Sequence, residues 1–162
     1  MELLTRTNTI EPSDENMVEE VREVDIRGEG FGLDLAREEY TNREIGDKGE
    51  DVVAYYIEQR GMEVLERNWR CTFGEVDIIA RDGNTIVLLE VKSRLATYCE
   101  EEIEPEQAVR TRKRNKYEKL ALIYLSKQVE VDSVRFDVAA VKFVDKNTAR
   151  IRYIVGAYEW DY

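Results

Sequence analysis

Apolar residues recur at Ile45, Val52, Val53, Tyr56 and Ile57, close to one face of a 3.6-residue period, and they predict a helix. The sequence Thr41-Asn42-Arg43-Glu44 ahead of them has the form of a capping box, and Gly61, just past Arg60, offers a left-handed stop. The pattern then changes to short β-rich runs, Met62 to Arg67, Gly74 to Arg81 and Thr85 to Ser93. Val87, Leu88, Leu89 and Val91 make the last run apolar on both faces, as in a central strand rather than an edge. Beyond a glutamate-rich loop and Pro105, a second helix is expected from about Glu106 to Lys127, with Leu120, Ala121, Ile123, Tyr124 and Leu125 available to pack. Val134 to Phe143 and Ala149 to Ile154 read as two further strands joined by Asp145-Lys146-Asn147. This order of elements implies an α/β domain around a mixed sheet over residues 41–162.

Residues 1–40 carry no sustained period and read as a flexible acidic extension, in which the one element on offer is a short helix over Val18 to Val24. The chain's net charge of −11 is concentrated there: residues 1–45 hold 13 acidic and five basic side chains, a net of −8, leaving −3 for the remainder. The acidity therefore does not exclude a nucleic-acid partner for the folded part. At 162 residues and 43% hydrophobic, one domain with a true core is expected. No run approaches the roughly 18 to 20 apolar residues of a membrane span, and the first residues lack the apolar stretch of a signal peptide, so a cytoplasmic location with no membrane contact is expected. Cys71 and Cys99 form no Cys-x-x-Cys pair and read as ordinary thiols.

Histidine is absent altogether, which removes Ser-His-Asp and Cys-His relays, His-bearing zinc sites and His-based nucleases. Chemistry must then come from carboxylates and lysines, an inventory suited to hard cations such as Mg²⁺ or Mn²⁺. Asp82-Gly83 between β-rich runs predicts a two-residue hairpin turn, with paired positions summing to about 165. In that register Asp77 faces Leu88, Glu75 faces Glu90, and Asp77 and Glu90 are diagonal neighbours. Alternation places Glu75, Asp77, Glu90 and Lys92 on one sheet face. Carboxylates crowded on such a strand pair repel unless a cation compensates. Glu90 can bind a metal, the Val91 carbonyl points at the next ligand position, and Lys92 can orient or deprotonate a water, or offset charge growing on a phosphodiester. The plain alternative is that Glu90 and Lys92 form a surface ion pair.

Three runs, Gly74-Glu75-Val76-Asp77-Ile78-Ile79-Ala80, Leu88-Leu89-Glu90-Val91-Lys92-Ser93-Arg94 and Arg135-Phe136-Asp137-Val138, resemble the YraN-type family of bacterial endonuclease-like proteins. Gly49-Glu50 and Arg67-Asn68-Trp69-Arg70 fit that family's pattern as well, and the resemblance covers roughly Gly46 to Tyr158. It implies a restriction-endonuclease-like, three-layer domain of the PD-(D/E)xK kind, similar in core motif to archaeal Holliday junction resolvases. It also implies Asp77 and Glu90 as metal ligands, Lys92 as the catalytic lysine and Glu50 as an accessory acid. A glutamate in the first turns of a helix is also favoured by the macrodipole alone, so Glu50 keeps both readings. Resolvase-like enzymes act as symmetric pairs, which makes a homodimer an expectation, although no interface is visible here. The loop Glu100 to Glu106 departs from the family in length and acidity, and the ending Gly156-Ala157-Tyr158 stands where relatives tend to show Asn-Ala-Phe.

Six cations, Arg110, Arg112, Lys113, Arg114, Lys116 and Lys119, crowd the first half of the second helix, where they oppose its dipole. Lys113 and Lys116 match the lysine-bearing helix that follows the motif in the resembled family, which favours them, with Arg110, as phosphate contacts, against the plainer reading of a solvated face screened by nearby glutamates. Trp69 and Tyr98 are candidates for base stacking, although an aromatic at a strand end more often packs in a core. The leading expectation is Mg²⁺- or Mn²⁺-dependent hydrolysis of phosphodiesters in nucleic acid, DNA ahead of RNA, with branched DNA suggested by analogy. The alternatives are a catalytically silent binding or scaffold module of the same fold, and a regulatory protein whose acidic residues 1–40 cover the basic helix.

Overall fold

The computed structural model describes residues 18–27, 40–96, 111–127 and 133–158. They form a six-stranded mixed sheet with a helix on each face. The elements are β1 (Val18–Asp25), α1 (Asn42–Gln59), β2 (Glu63–Cys71), β3 (Gly74–Asp82), β4 (Thr85–Leu95), α2 (Thr111–Leu125), β5 (Ser133–Asp145) and β6 (Thr148–Tyr158). The strand order is β1-β6-β5-β4-β3-β2, with β4 and β5 at the centre. Only the β4–β5 pair is parallel, as a connection through a helix demands, and the others are antiparallel.

Local chemistry fixes α1 at both ends. Thr41 Oγ1 accepts the Glu44 amide at 3.2 Å while Glu44 Oε2 accepts the Thr41 amide at 2.8 Å, completing the capping box. Gly61, at φ +87°, reverses the chain so that its own amide and that of Met62 return to the carbonyls of Glu58 and Ile57. Ile45, Val52, Val53, Tyr56 and Ile57 face the sheet and meet Ile78, Ala80, Val87, Leu89, Val91, Val141 and Phe143. Val52, Val53 and Ile57 are fully buried, and each such side chain contributes about 1.5–3 kcal/mol. The opposite face of the sheet is covered by α2, whose Tyr117, Leu120, Ala121 and Tyr124 follow helical spacing onto Trp69, Ile79, Ile86, Leu88 and Phe136.

Val18 to Asp25 is a strand, not a short helix, and belongs to the sheet rather than to an extension outside the domain. It pairs with β6 from Val18–Val155 to Asp25–Thr148. Val24 and Ile26 enter the α1-side core, and Glu20 accepts from the Tyr56 hydroxyl at 3.0 Å and from Arg60 at 2.6 Å. The isolated segment has no visible reason to be a strand; the open edge of β6 supplies one. Residues 1–17 and 28–39 lie outside the described residues, as do Tyr98, Cys99, the acidic loop Glu100 to Glu106 and Arg110. Among the described residues, no helix is long and apolar enough to cross a membrane.

The hairpin register differs from the expected one. Asp82 pairs with Thr85, so the turn is Gly83-Asn84 and paired positions sum to 167. Gly83 takes φ +59° at the first turn position, while Asp82 stays in the strand, its carboxylate bonded to Arg135 at 3.0 Å. A shift of two residues preserves which face each β4 side chain occupies, but it brings Asp77 two positions closer to Glu90.

Candidate functional site

The β3–β4 ladder runs from Asp82–Thr85 to Ile78–Leu89, whereas β4 continues beside β5 as far as Leu95. At the end of that ladder Asp77 Oδ2 accepts the Val91 amide at 2.7 Å, so a carboxylate takes the place of a strand carbonyl. Strict alternation does not hold through this point. Val76 joins the α2-side core and Ile78 the α1-side core, although both are even-numbered. The partner strand is irregular on the same rung: Asn68 has φ +51°, and pairing resumes at Trp69–Val76. The expectation of four side chains on one flat face is therefore replaced by a distorted junction between β2, β3 and β4.

That junction gathers charges from α1, β2, β3 and β4. Glu50, near the sheet side of α1, accepts from Asn68 Nδ2 at 3.1 Å, with Arg67 at 3.7 Å. Burial and then the charge of Asp77 raise its pKa. Burial also raises the pKa of Asp77; the Val91 amide pulls the other way, and the charge of Glu90 adds to the rise. Glu90 is buried, with Oε1 2.8 Å from Lys92 Nζ and Oε2 accepting the Tyr117 hydroxyl at 2.7 Å. For Lys92, burial works to lower the pKa, but Glu90, Asp77 and Glu75 outweigh it and hold the ammonium above its usual value. Glu75 is paired with Arg70 at 3.1 Å and lies toward solvent.

Gly49 sets the distance between α1 and β4. A Cβ at this position would lie 1.6 Å from Ser93 Oγ and 2.6 Å from Ser93 Cβ, so only glycine lets the helix carry Glu50 this close to the strand bearing Glu90 and Lys92. A second network braces β5 against the β3–β4 turn. Asp137, 1% exposed, accepts from Arg135 at 2.9 Å, from the Tyr153 hydroxyl at 2.6 Å and from the Gly156 amide at 2.9 Å. Arg135 also reaches Asp82, so Asp137 belongs to a satisfied buried network that reaches the hairpin turn.

Asp77, Glu90 and Glu50 supply oxygen donors, and a hard cation among them would relieve their mutual charge. The donor chemistry fits Mg²⁺ or Mn²⁺. Among the described residues, however, no three His, Cys, Asp or Glu side chains converge tightly enough to form a metal-holding group. Both oxygens of Glu90 are engaged, by Lys92 and by Tyr117.

Of the favoured phosphate contacts, Lys116 is exposed on α2, Lys113 lies in the same helix with its side chain outside the described residues, and Arg110 lies outside them altogether. Trp69 is buried edge-on against Tyr124, with ring centroids 5.5 Å apart, and is core rather than a stacking platform. Tyr117 was invisible as a site residue. In sequence it reads as one more aromatic in a basic helix, and only the packing of α2 on β4 brings its hydroxyl to Glu90.

A family model described as "Uncharacterised protein family UPF0102" matches residues 49–141. The chain belongs to that family. A UPF0102 protein of Geobacter metallireducens is 40% identical over 122 residues, covering 75% of this chain and 97% of that one. One from Syntrophus aciditrophicus is 43% identical over 122 residues, 75% of this chain and 93% of its own. A UPF0102 protein of Clostridium botulinum strain Loch Maree is 44% identical over 104 residues, 63% of this chain and 82% of its own. The UPF0102 match begins at Gly49 and takes in Glu50, Asp77, Glu90, Val91 and Lys92, while β1 and β6 lie outside it.

Proposed function

We propose that this protein is a metal-dependent nuclease-like hydrolase of the PD-(D/E)xK kind, with a restriction-endonuclease-like fold, acting on phosphodiesters of DNA. The observation that carries the reading is the junction where the β3–β4 ladder ends. Asp77 replaces a strand carbonyl there, Glu50 and Glu90 are close enough to raise its pKa or share in the rise, and Lys92 stands 2.8 Å from Glu90. Asp77, Glu90 and the Val91 carbonyl would hold Mg²⁺ or Mn²⁺, with Glu50 as an accessory acid. Such an ion, when bound, supplies Lewis acidity toward the phosphoryl group and lowers the pKa of a water. Lys92 contributes an ammonium beside that position, suited to offset charge growing on the phosphodiester. The exposed lysines of α2 supply sequence-independent attraction to the backbone.

The test is cleavage of duplex and branched DNA in Mg²⁺ or Mn²⁺ by the full chain and by Asp77→Ala and Lys92→Ala. Activity lost in both variants is expected, and activity equal to the parent would sink the site. The occupied oxygens of Glu90 favour a second reading, a silent nucleic-acid-binding module. Metal titration separates the two, because DNA binding with no ion bound at millimolar Mg²⁺ belongs to the module.

A further inference from the structure

Between β2 and β3 the chain turns through Thr72 and Phe73, and Phe73 is 52% exposed, one of three large apolar side chains so placed among the described residues. Its surroundings are cationic. Lys119 Nζ sits 5.6 Å from the ring centroid, a cation–π distance. Lys116 lies against the same turn: a Cβ on Gly74 would be 2.3 Å from its Cε and 2.9 Å from its Nζ, and Gly74 holds φ +145°. That backbone conformation favours glycine, and the missing side chain leaves the flexible end of Lys116 room to lie over the turn. Lys116 and Lys119 are exposed on one side of α2, and among the described residues neither forms an ion pair.

We propose that Phe73, Lys116 and Lys119 form a docking corner for an unpaired nucleotide, whose base stacks on Phe73 while its flanking phosphates meet the two lysines. An exposed aromatic flanked by two lysines has the two components that single-stranded nucleic acid requires, a π-face for the base and positive charge for the backbone. A flush duplex keeps its bases stacked inside and can use only the lysines. The corner is joined to the candidate site through one helical turn, since Tyr117, next to Lys116, reaches back to Glu90. A strand held there would be presented beside Asp77, Glu90 and Lys92. The inference rests on the nuclease reading for its choice of nucleic acid and adds that unpaired bases are what the surface selects.

The experiment compares fluorescence-anisotropy affinities for a flush duplex and for the same duplex bearing a single-stranded flap, at low salt with Ca²⁺ in place of Mg²⁺. The full chain is expected to prefer the flap. Phe73→Ala should weaken flap binding by about 5- to 150-fold, the range for loss of one aromatic–base stack, with flush-duplex affinity little changed. Phe73→Trp should retain the preference. Lys116→Ala and Lys119→Ala should weaken both DNAs and each reduce the salt slope by about 1. Unchanged flap affinity in Phe73→Ala, or equal losses on both DNAs, would overturn the corner while leaving the nuclease reading standing. No binding of either DNA by the parent chain would instead remove the nucleic-acid reading itself.

Discussion

The Tyr117 hydroxyl donates a 2.7 Å hydrogen bond to Glu90 Oε2, so α2 fixes one oxygen of the buried carboxylate while Lys92, on Glu90's own strand, fixes the other. Tyr117→Phe keeps the ring's packing against Phe136, 5.7 Å between centroids, and deletes only that donor. A hydrogen bond to a charged group contributes about 1.5–3 kcal/mol, and the variant should lose an amount in that range. Urea denaturation checks it: the midpoint should fall with no change in slope, and an unchanged midpoint would show that the bond contributes nothing.

Asp77 carries a cost that shows in the pH dependence of stability. Burial, with the charge of Glu90, raises its pKa against the pull of the Val91 amide, so the folded state keeps this proton to higher pH than the unfolded chain, which releases it near 3.8. Stability contributed by the protonated form is present below that value and is lost as pH rises through the folded-state pKa. Asp77→Asn, which still offers an oxygen to the Val91 amide, should therefore flatten the decline and be more stable than the parent at pH 7, while destroying any metal-dependent cleavage. Denaturation midpoints from pH 3 to pH 7 measure it, and a variant less stable than the parent at pH 7 would contradict the burial argument.

Much of this arrangement was legible from single-residue chemistry, and what escaped depended on partners distant in sequence. Thr41-Asn42-Arg43-Glu44 and Gly61 announce the ends of α1 because caps are local, and the two-faced apolar run announces β4 as central. The hairpin register went astray by two positions because Asp82-Gly83 looks like the turn itself. Arg135, from β5, keeps Asp82 in the strand and leaves Gly83-Asn84 to turn. The kink at Asn68, the hydroxyl of Tyr117 and the strand at Val18–Asp25 exist through tertiary contacts, which no periodicity records.

Gly49→Ala tests whether close approach of α1 to β4 is required. In an isolated helix, alanine in place of glycine would help by about 1 kcal/mol, but here the new methyl meets Ser93 Oγ at 1.6 Å and Ser93 Cβ at 2.6 Å. Ser93 Cβ is anchored on a central strand and cannot swing away, so a net loss of about 1–3 kcal/mol is expected. Ser93→Gly removes both offending atoms, and Ser93 Oγ is buried with no hydrogen-bond partner, so its loss forfeits no such bond. The double variant should recover most of the loss, giving a coupling of at least about 1 kcal/mol in a double-mutant cycle. Additive losses would place the strain of Gly49→Ala somewhere other than Ser93.

Glu20 gives a pH dependence of the opposite sign, located at the far edge of the sheet. Burial works to raise its pKa, but the hydrogen bonds from Arg22 and Tyr56 and the charge and hydrogen bond of Arg60 outweigh it and hold the carboxyl below its usual 4.5. Stability from this contact is present above that value and is lost as pH falls through the lower folded-state pKa. The contact ties β1 to α1 alongside the packing of Val24 and Ile26, so acid should loosen the edge strand before the core. Protection of the β1–β6 ladder amides relative to their intrinsic exchange rates should fall below about pH 4.5 in the parent, while Glu20→Gln is poorly protected already at pH 6 and loses little more on acidification. If the two proteins show the same protection at pH 6, the hydrogen-bonded cluster at Glu20 is not what holds β1 in place, and the strand rests on its ladder with β6 and on Val24 and Ile26.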